Sequence, residues 1–185
     1  MNVRPLRGRP DTQAAGNARR RASRLFKQED RTLAGLYFED FEEGTFYDTV
    51  PRTITEADVM AFAGTSGDFN RLHTDRTFAA ETAFKEPIAH GLLVLSVVTG
   101  LKQRLGIFEG TVIAFLGLTW NFKAPVFFGD TIWARIHIEK MKETSKPDRG
   151  ITYQKVEVFN QDGTLVQDGE HVLMMKRRNA DQAEG

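Results

Sequence analysis

The run Gly67-Asp-Phe-Asn-Arg-Leu-His73 brings a carboxylate, an amide and an imidazole within six residues, Asp68 to His73. A carboxylate and an imidazole sharing one water can take its proton and return it, and histidine does this near neutral pH with little tuning. The same run also reads as bland turn chemistry, with Asp68 and Asn70 in Asx-turns and His73 capping the next helix. Further on, His90-Gly91 stands where a long apolar stretch begins. Free backbone N–H groups and the positive dipole end at such a helix start suit a developing oxyanion. A glycine there also lets a carbonyl approach the backbone closely, although glycine at a helix entrance is common enough without function. The other two histidines lack such neighbours. His137 falls on the polar face of an alternating strand and reads as solvated, and His171, beside Glu170, reads as structural.

Several elements must position these residues. Residues 44–54 are rich in β-branched and aromatic side chains and predict a strand. Thr55 and Asp58 form the start signal of a helix whose apolar stripe is Val59, Phe62 and Ala63, ending near Gly64 or Gly67. Asp75 predicts a second cap, for a short helix that Pro87 stops from running on. Residues 91–105 are apolar nearly all round as far as Lys102 and contain no acid, the pattern of a buried helix. Four strands follow, at about 111–122, 130–141, 150–160 and 164–176, with turns at Gly129-Asp130, 147–150 and Asp162-Gly163. His73 is expected in a loop. A lone apolar helix needs cover on most sides, and a curved antiparallel sheet wrapped around it supplies that cover, so the fold class is α+β.

The chain has 185 residues, with 41% hydrophobic and 27% charged, which suits one ordinary domain and excludes wholesale disorder. It has no cysteine, which removes disulfides, thiolate nucleophiles and Cys-type zinc sites together and fits a cytoplasmic location. No apolar run is long enough for a bilayer, and the N-terminal arginines lack the apolar segment of a secretory signal. The zero net charge hides an asymmetry. Residues 1–32 hold nine basic and three acidic side chains, leaving sixteen and twenty-two for the rest. This predicts a basic extension over 1–32, a folded domain over 33–178 and a polar tail over 179–185. The extension reads as a solvated arm. A nucleic-acid arm or a transit peptide are its other readings, and nucleic acid is not the expected partner.

Three segments then resemble one family. Gly67-Asp-Phe-Asn-Arg-Leu-His73, Phe84-Lys-Glu-Pro-Ile-Ala-His-Gly91 and Phe122-Lys-Ala-Pro-Val-Phe-Phe-Gly-Asp130 look, in this order and spacing, like the MaoC-like dehydratases and (R)-specific enoyl-CoA hydratases. The resemblance implies a hotdog fold, a long helix wrapped by an antiparallel sheet. It implies a hydro-lyase that interconverts 2-enoyl and (R)-3-hydroxyacyl thioesters of coenzyme A or acyl carrier protein, with no metal and no cofactor. By the same resemblance, Asp68 and His73 hold and activate the water, and Asn70 steadies their loop. The Gly91 amide binds the thioester oxygen, and Ser96 lines the acyl pocket. Arg71 departs from the family's usual proline, and either loosens the loop or reaches a coenzyme A phosphate. A homodimer or dimer-based oligomer is expected, since a small sheet around one helix leaves edges and apolar surface bare. Two other functions remain open. One is a thioesterase on the same fold, against which stands the lack of an acid on residues 92–105. The other is a non-catalytic hotdog subunit, against which stands the presence of both Asp68 and His73.

Overall fold

The computed structural model describes residues 35–178, so the expected basic extension and the polar tail lie outside the described residues. After a single 3-10 turn at Phe38–Asp40 come two short strands, β1 (Phe46–Asp48) and β2 (Arg52–Thr53). The expected single strand over 44–54 is therefore broken. Val50-Pro51 lies between the pieces, and proline has no N–H to give to a ladder.

Helix α1 spans Glu56–Ser66 and begins with a complete capping box. Asp58 N–H donates to Thr55 Oγ1 at 3.2 Å, and Thr55 N–H donates to Asp58 Oδ2 at 2.9 Å. Gly67, at φ 78°, ends it in the left-handed region, where a side chain would be strained. Two very short helices follow, α2 (Arg71–Thr74) and α3 (Arg76–Glu81). The first corrects the expected loop, for His73 sits on one helical turn capped by Asn70. Asp75 caps α3 as its sequence position suggests, accepting from Phe78 N–H at 3.0 Å.

Helix α4, Gly91–Gln103, is the buried helix. Val94 and Val98 have no solvent exposure, and they meet Ile132, Ala134, Ile136, Val156, Val158 and Val166 of the sheet in one apolar cluster. The sheet is made of β3 (Val112–Phe122), β4 (Thr131–Glu143), β5 (Arg149–Phe159) and β6 (Leu165–Lys176), joined by the two short strands. Its order is β1-β4-β5-β6-β3, with β2 on β4 and every pairing antiparallel. Alternation of buried and half-buried residues along β4 as far as Ile138 and along all of β5 turns one face to α4. Among the described residues, no helix is long and apolar enough to cross a membrane.

Candidate active site

The site is built where α1 ends, α2 turns and α4 begins. Gly67 reverses the chain after α1, and Ser66 Oγ accepts from Asp68 N–H at 3.2 Å. Asp68 Oδ1 accepts from Asn70 N–H at 3.2 Å, and Asn70 Oδ1 accepts from Leu72 N–H at 3.0 Å. The turns at Asp68 and Asn70 are those of the bland reading, but the cap is not, since Asn70 caps α2 and Asp75, rather than His73, caps α3. These turns serve the site as well, because they fix the segment that carries both Asp68 and His73.

His73 is half-buried, and its Nδ1–H donates to the Ile88 carbonyl at 2.8 Å. A carbonyl can only accept, so the proton is on Nδ1 and Nε2 carries the free lone pair. Burial is the largest influence on this ring and pulls its pKa below the ordinary 6.5; the Ile88 carbonyl and the Asp68 charge oppose that, and His90 adds to it. The imidazole is thus neutral and ready to accept near pH 7.

His90 is the residue that spacing alone undervalued. It is 2% exposed, stacks on His73 at a ring-centroid distance of 3.8 Å, and touches Phe62 at 5.1 Å. Its Nε2–H donates to the Asp68 carbonyl at 2.9 Å and lies 4.0 Å from Asp68 Oδ2. His90 is also the N-cap of α4, yet its side chain caps no amide of that helix. The other helices are capped by Thr55, Asn70 and Asp75, whereas α4 opens with its first N–H groups free of any side-chain cap. Its first residue is Gly91, whose amide meets no backbone acceptor among the described residues. The hint in the sequence was His90-Gly91 itself, a histidine where a serine, threonine or aspartate would cap better.

Gly91 is tightly framed. A Cβ there would come 2.5 Å from Phe122 Cε1, so any larger residue would have to push that ring aside. The Gly91 carbonyl accepts from Gln167 Nε2–H at 3.1 Å, and Gln167 Oε1 accepts from Trp120 Nε1–H at 2.9 Å. Trp120 can only donate, so it fixes which way the Gln167 amide points.

One ligand atom each from Asp68, His73 and His90 lies within 4.8 Å of the others, close enough to hold a metal ion. The His90 nitrogen nearest the carboxylate is already committed to the Asp68 carbonyl, so a metal would have to break that bond. The set as it stands fits a water between Asp68 and His73 Nε2 better.

Asp68 and His73 come together with His90, which Gly91 follows directly, while Asn70 holds the turn that carries the first two. Ser96 does not join them. It lies five residues past Gly91, about 140° around a helix of ~3.6 residues per turn. There it is exposed, donates back to the Leu92 carbonyl at 2.8 Å, and borders a shallow pocket of about 410 Å³ with Arg52, Gly100 and Arg104. Arg71 lies exposed on α2 and pairs along the chain with Asp75. It donates from Nε and Nη2 to Asp75 Oδ2 at 3.0 and 2.9 Å, with its guanidinium 4.6 Å from the centre of the Phe78 ring.

Comparison with known proteins agrees with this geometry. The chain is 40% identical over 119 residues to an (R)-specific enoyl-CoA hydratase of Aeromonas caviae, covering 64% of this chain and 84% of that one. The solved structure of the A. caviae (R)-hydratase involved in PHA biosynthesis superposes with a TM-score of 0.63 at 36% identity, over 73% of this chain and 97% of that one. A Mycobacterium tuberculosis protein described as a double hotdog fold matches with a TM-score of 0.70 at 24% identity, over 80% of this chain and 46% of that one, and so speaks for the hotdog fold alone. The sequence model of the MaoC-like domain matches residues 40–159, and with well over half of its length matched this chain belongs to the MaoC-like domain family.

Proposed function

We propose that the protein is a hydro-lyase that adds water across the double bond of 2-enoyl thioesters and removes it again from the (R)-3-hydroxyacyl product. The observation that carries this is the cluster of Asp68, His73 and His90, one side-chain ligand atom of each within 4.8 Å of the others, with His90 itself the N-cap of the uncapped start of α4 at Gly91. A water held between the carboxylate and the bare imidazole nitrogen gives up a proton as its oxygen bonds to C3. The electrons of the double bond move to the thioester oxygen, which the Gly91 N–H receives. The proton is then returned to C2, and the charge on oxygen collapses back to the carbonyl. No redox step occurs. The names of the relatives, an (R)-specific enoyl-CoA hydratase among them, support an acyl-CoA substrate.

In this arrangement Asn70 keeps the turn in shape and His90 keeps the Asp68 carbonyl against the start of α4. The acyl chain leads away from the thioester at Gly91, and Ser96, about 140° around α4, stands off that side. A second copy of the chain covers β3. This strand lies at the end of the sheet order, and it shows Ile113, Phe115, Leu116, Leu118 and Phe122 to solvent. Purified protein mixed with 2-enoyl-CoA substrates of graded length should remove the enoyl absorbance and yield the (R)-alcohol. Lack of turnover at every length would overturn the reading.

A further inference from the structure

The amide that receives the thioester oxygen belongs to a glycine, the residue with the widest freedom of backbone rotation. Gly91 is also the first residue of α4, where no earlier turn of helix steadies it. Its N–H serves the reaction only if something else fixes the direction in which it points. Direction matters for the rate, since a misplacement of ~1 Å costs up to ~10²-fold.

The hold comes from the sheet. Period-two alternation places Gln167 of β6 on the inner face, together with His171, Leu173 and Met175. Gln167 is 2% exposed, and both ends of its amide are engaged. Nε2–H donates to the Gly91 carbonyl, 76 residues away in the chain, and Oε1 accepts the indole N–H of Trp120 on β3. The indole lies close against β6, because its register partner there is Gly169, where a Cβ would come 2.5 Å from Trp120 Cε3. Turned over, the Gln167 amide would set its oxygen against the Gly91 carbonyl and its NH2 against the indole N–H. Two hydrogen bonds would then be lost at a buried position, which is expensive. Trp120 therefore leaves Gln167 one orientation, and Gln167 leaves the Gly91 carbonyl one place.

The residues on either side of the glycine complete the frame. Upstream, Ala89 N–H donates to the Val126 carbonyl at 2.8 Å, and the His90 ring is tied to the Asp68 carbonyl. Phe122, the register partner of Gln167 on β3, lays its ring beside Gly91. That ring is 58% exposed, so the buried amide of Gln167 is the firmer hold. The peptide that carries the Gly91 N–H is thus fixed both before and after the glycine.

We propose that Gln167, locked by Trp120, is a positioning residue that aims the Gly91 N–H at the thioester oxygen. The proposal rests on the hydro-lyase reading above. Its competitor is a buried amide that pins the start of α4 to the sheet and matters for stability alone.

Steady-state kinetics of the full chain on a 2-enoyl-CoA separates the two. Gln167→Met keeps the length of the side chain and removes both hydrogen bonds. It should lower kcat and kcat/KM together by ~10-fold or more, the mark of an interaction made in the transition state. Trp120→Phe removes only the lock, and should lower kcat in the same way but by less. In a Gly91→Ala background, Gln167→Met should cost little more, because the residue it acts through is already displaced. An unchanged kcat in Gln167→Met with only Tm lowered, a rise in KM at constant kcat, or the full loss repeated in the Gly91→Ala background overturns the proposal. Should Gln167→Met fail to fold, Trp120→Phe decides, and an unchanged kcat there overturns the proposal. Turnover that is indifferent to Gln167 leaves the hydro-lyase standing and removes this role. No turnover by the unsubstituted chain at any acyl length removes both.

Discussion

Asp68 and His73 differ in what the fold has done to them. Asp68 is exposed, with one oxygen tied to Asn70 N–H, while His73 is half-buried and held neutral with its lone pair on Nε2. A positioned acid or base is worth ~10²–10⁴-fold in rate. Asp68→Asn and His73→Gln should each lower kcat by about that much while leaving the circular dichroism spectrum and Tm nearly unchanged. The two act on one water, so the double variant should lose far less than the product of the single losses. Steady-state kinetics on all three variants would check this, and independent multiplicative losses would rule out a shared water. The pH profile follows from His73. Its pKa in the folded state lies below 6.5, so kcat should hold as pH falls through 6.5 and decline only at lower pH, where the ring gains a proton and can no longer accept one. A rate that already halves above pH 6.5 would contradict the burial argument.

At the scale of elements, the site depends on how α4 begins. A helix normally has its first amides capped, and here the N-cap side chain turns away to hold the Asp68 carbonyl. The Gly91 N–H is left for a ligand. Gly91→Ala would drive a Cβ into the Phe122 ring, which at 58% exposure has room to swing outward. The variant should therefore fold, with a modest drop in Tm, and lose ~10²-fold or more in kcat as the oxyanion site is displaced. A kcat close to that of the unsubstituted chain would show that the thioester oxygen is bound elsewhere. Arg71 belongs to this scale too. It spans the single turn of α2 to reach Asp75, the cap of α3, and so ties together the two turns on either side of His73. Proline is preorganised for the first position of a helix, which is where Arg71 stands. Arg71→Pro should exchange an exposed ion pair, weak in water, for a stiffer unfolded chain worth about 0.4–1 kcal/mol. The net change in unfolding free energy, measured in denaturant, should be within about 0.5 kcal/mol.

For the whole molecule, the unsettled surface is β3. A single chain leaves five large apolar side chains of this strand in water, together with Leu92 on the neighbouring helix. Covering them with a second copy removes an unpaired sheet edge and an apolar patch at once. Light scattering at micromolar concentration should report a dimer or a multiple of it. Leu118→Lys, a change at an exposed position of β3, should shift that population towards the single chain, and a chain that is monomeric before substitution would refute this assembly.

The sequence by itself determined most of the local structure and the chemistry. The capping box of Thr55 and Asp58, the alternation along residues 131–138 and the apolar run from Gly91 are short-range patterns whose physics needs no partner, and the elements formed where they point. Asp68 and His73 were legible for the same reason, being close in the chain as well as in space. What the sequence could not show is what comes from far along it. The strand over 44–54 broke at Val50-Pro51, and how its two pieces pair is set by β4, about 80–90 residues on. His90 lies 22 residues from the carbonyl it holds, and Lys102 meets His171 across 69 residues. His171 read as structural and Lys102 as the polar end of a helix, since neither carries any sign of the other in its neighbours. Only the packing of α4 into the sheet buries both, and burial is what sets an amine without a counter-charge against an imidazole whose Nε2 has no partner among the described residues.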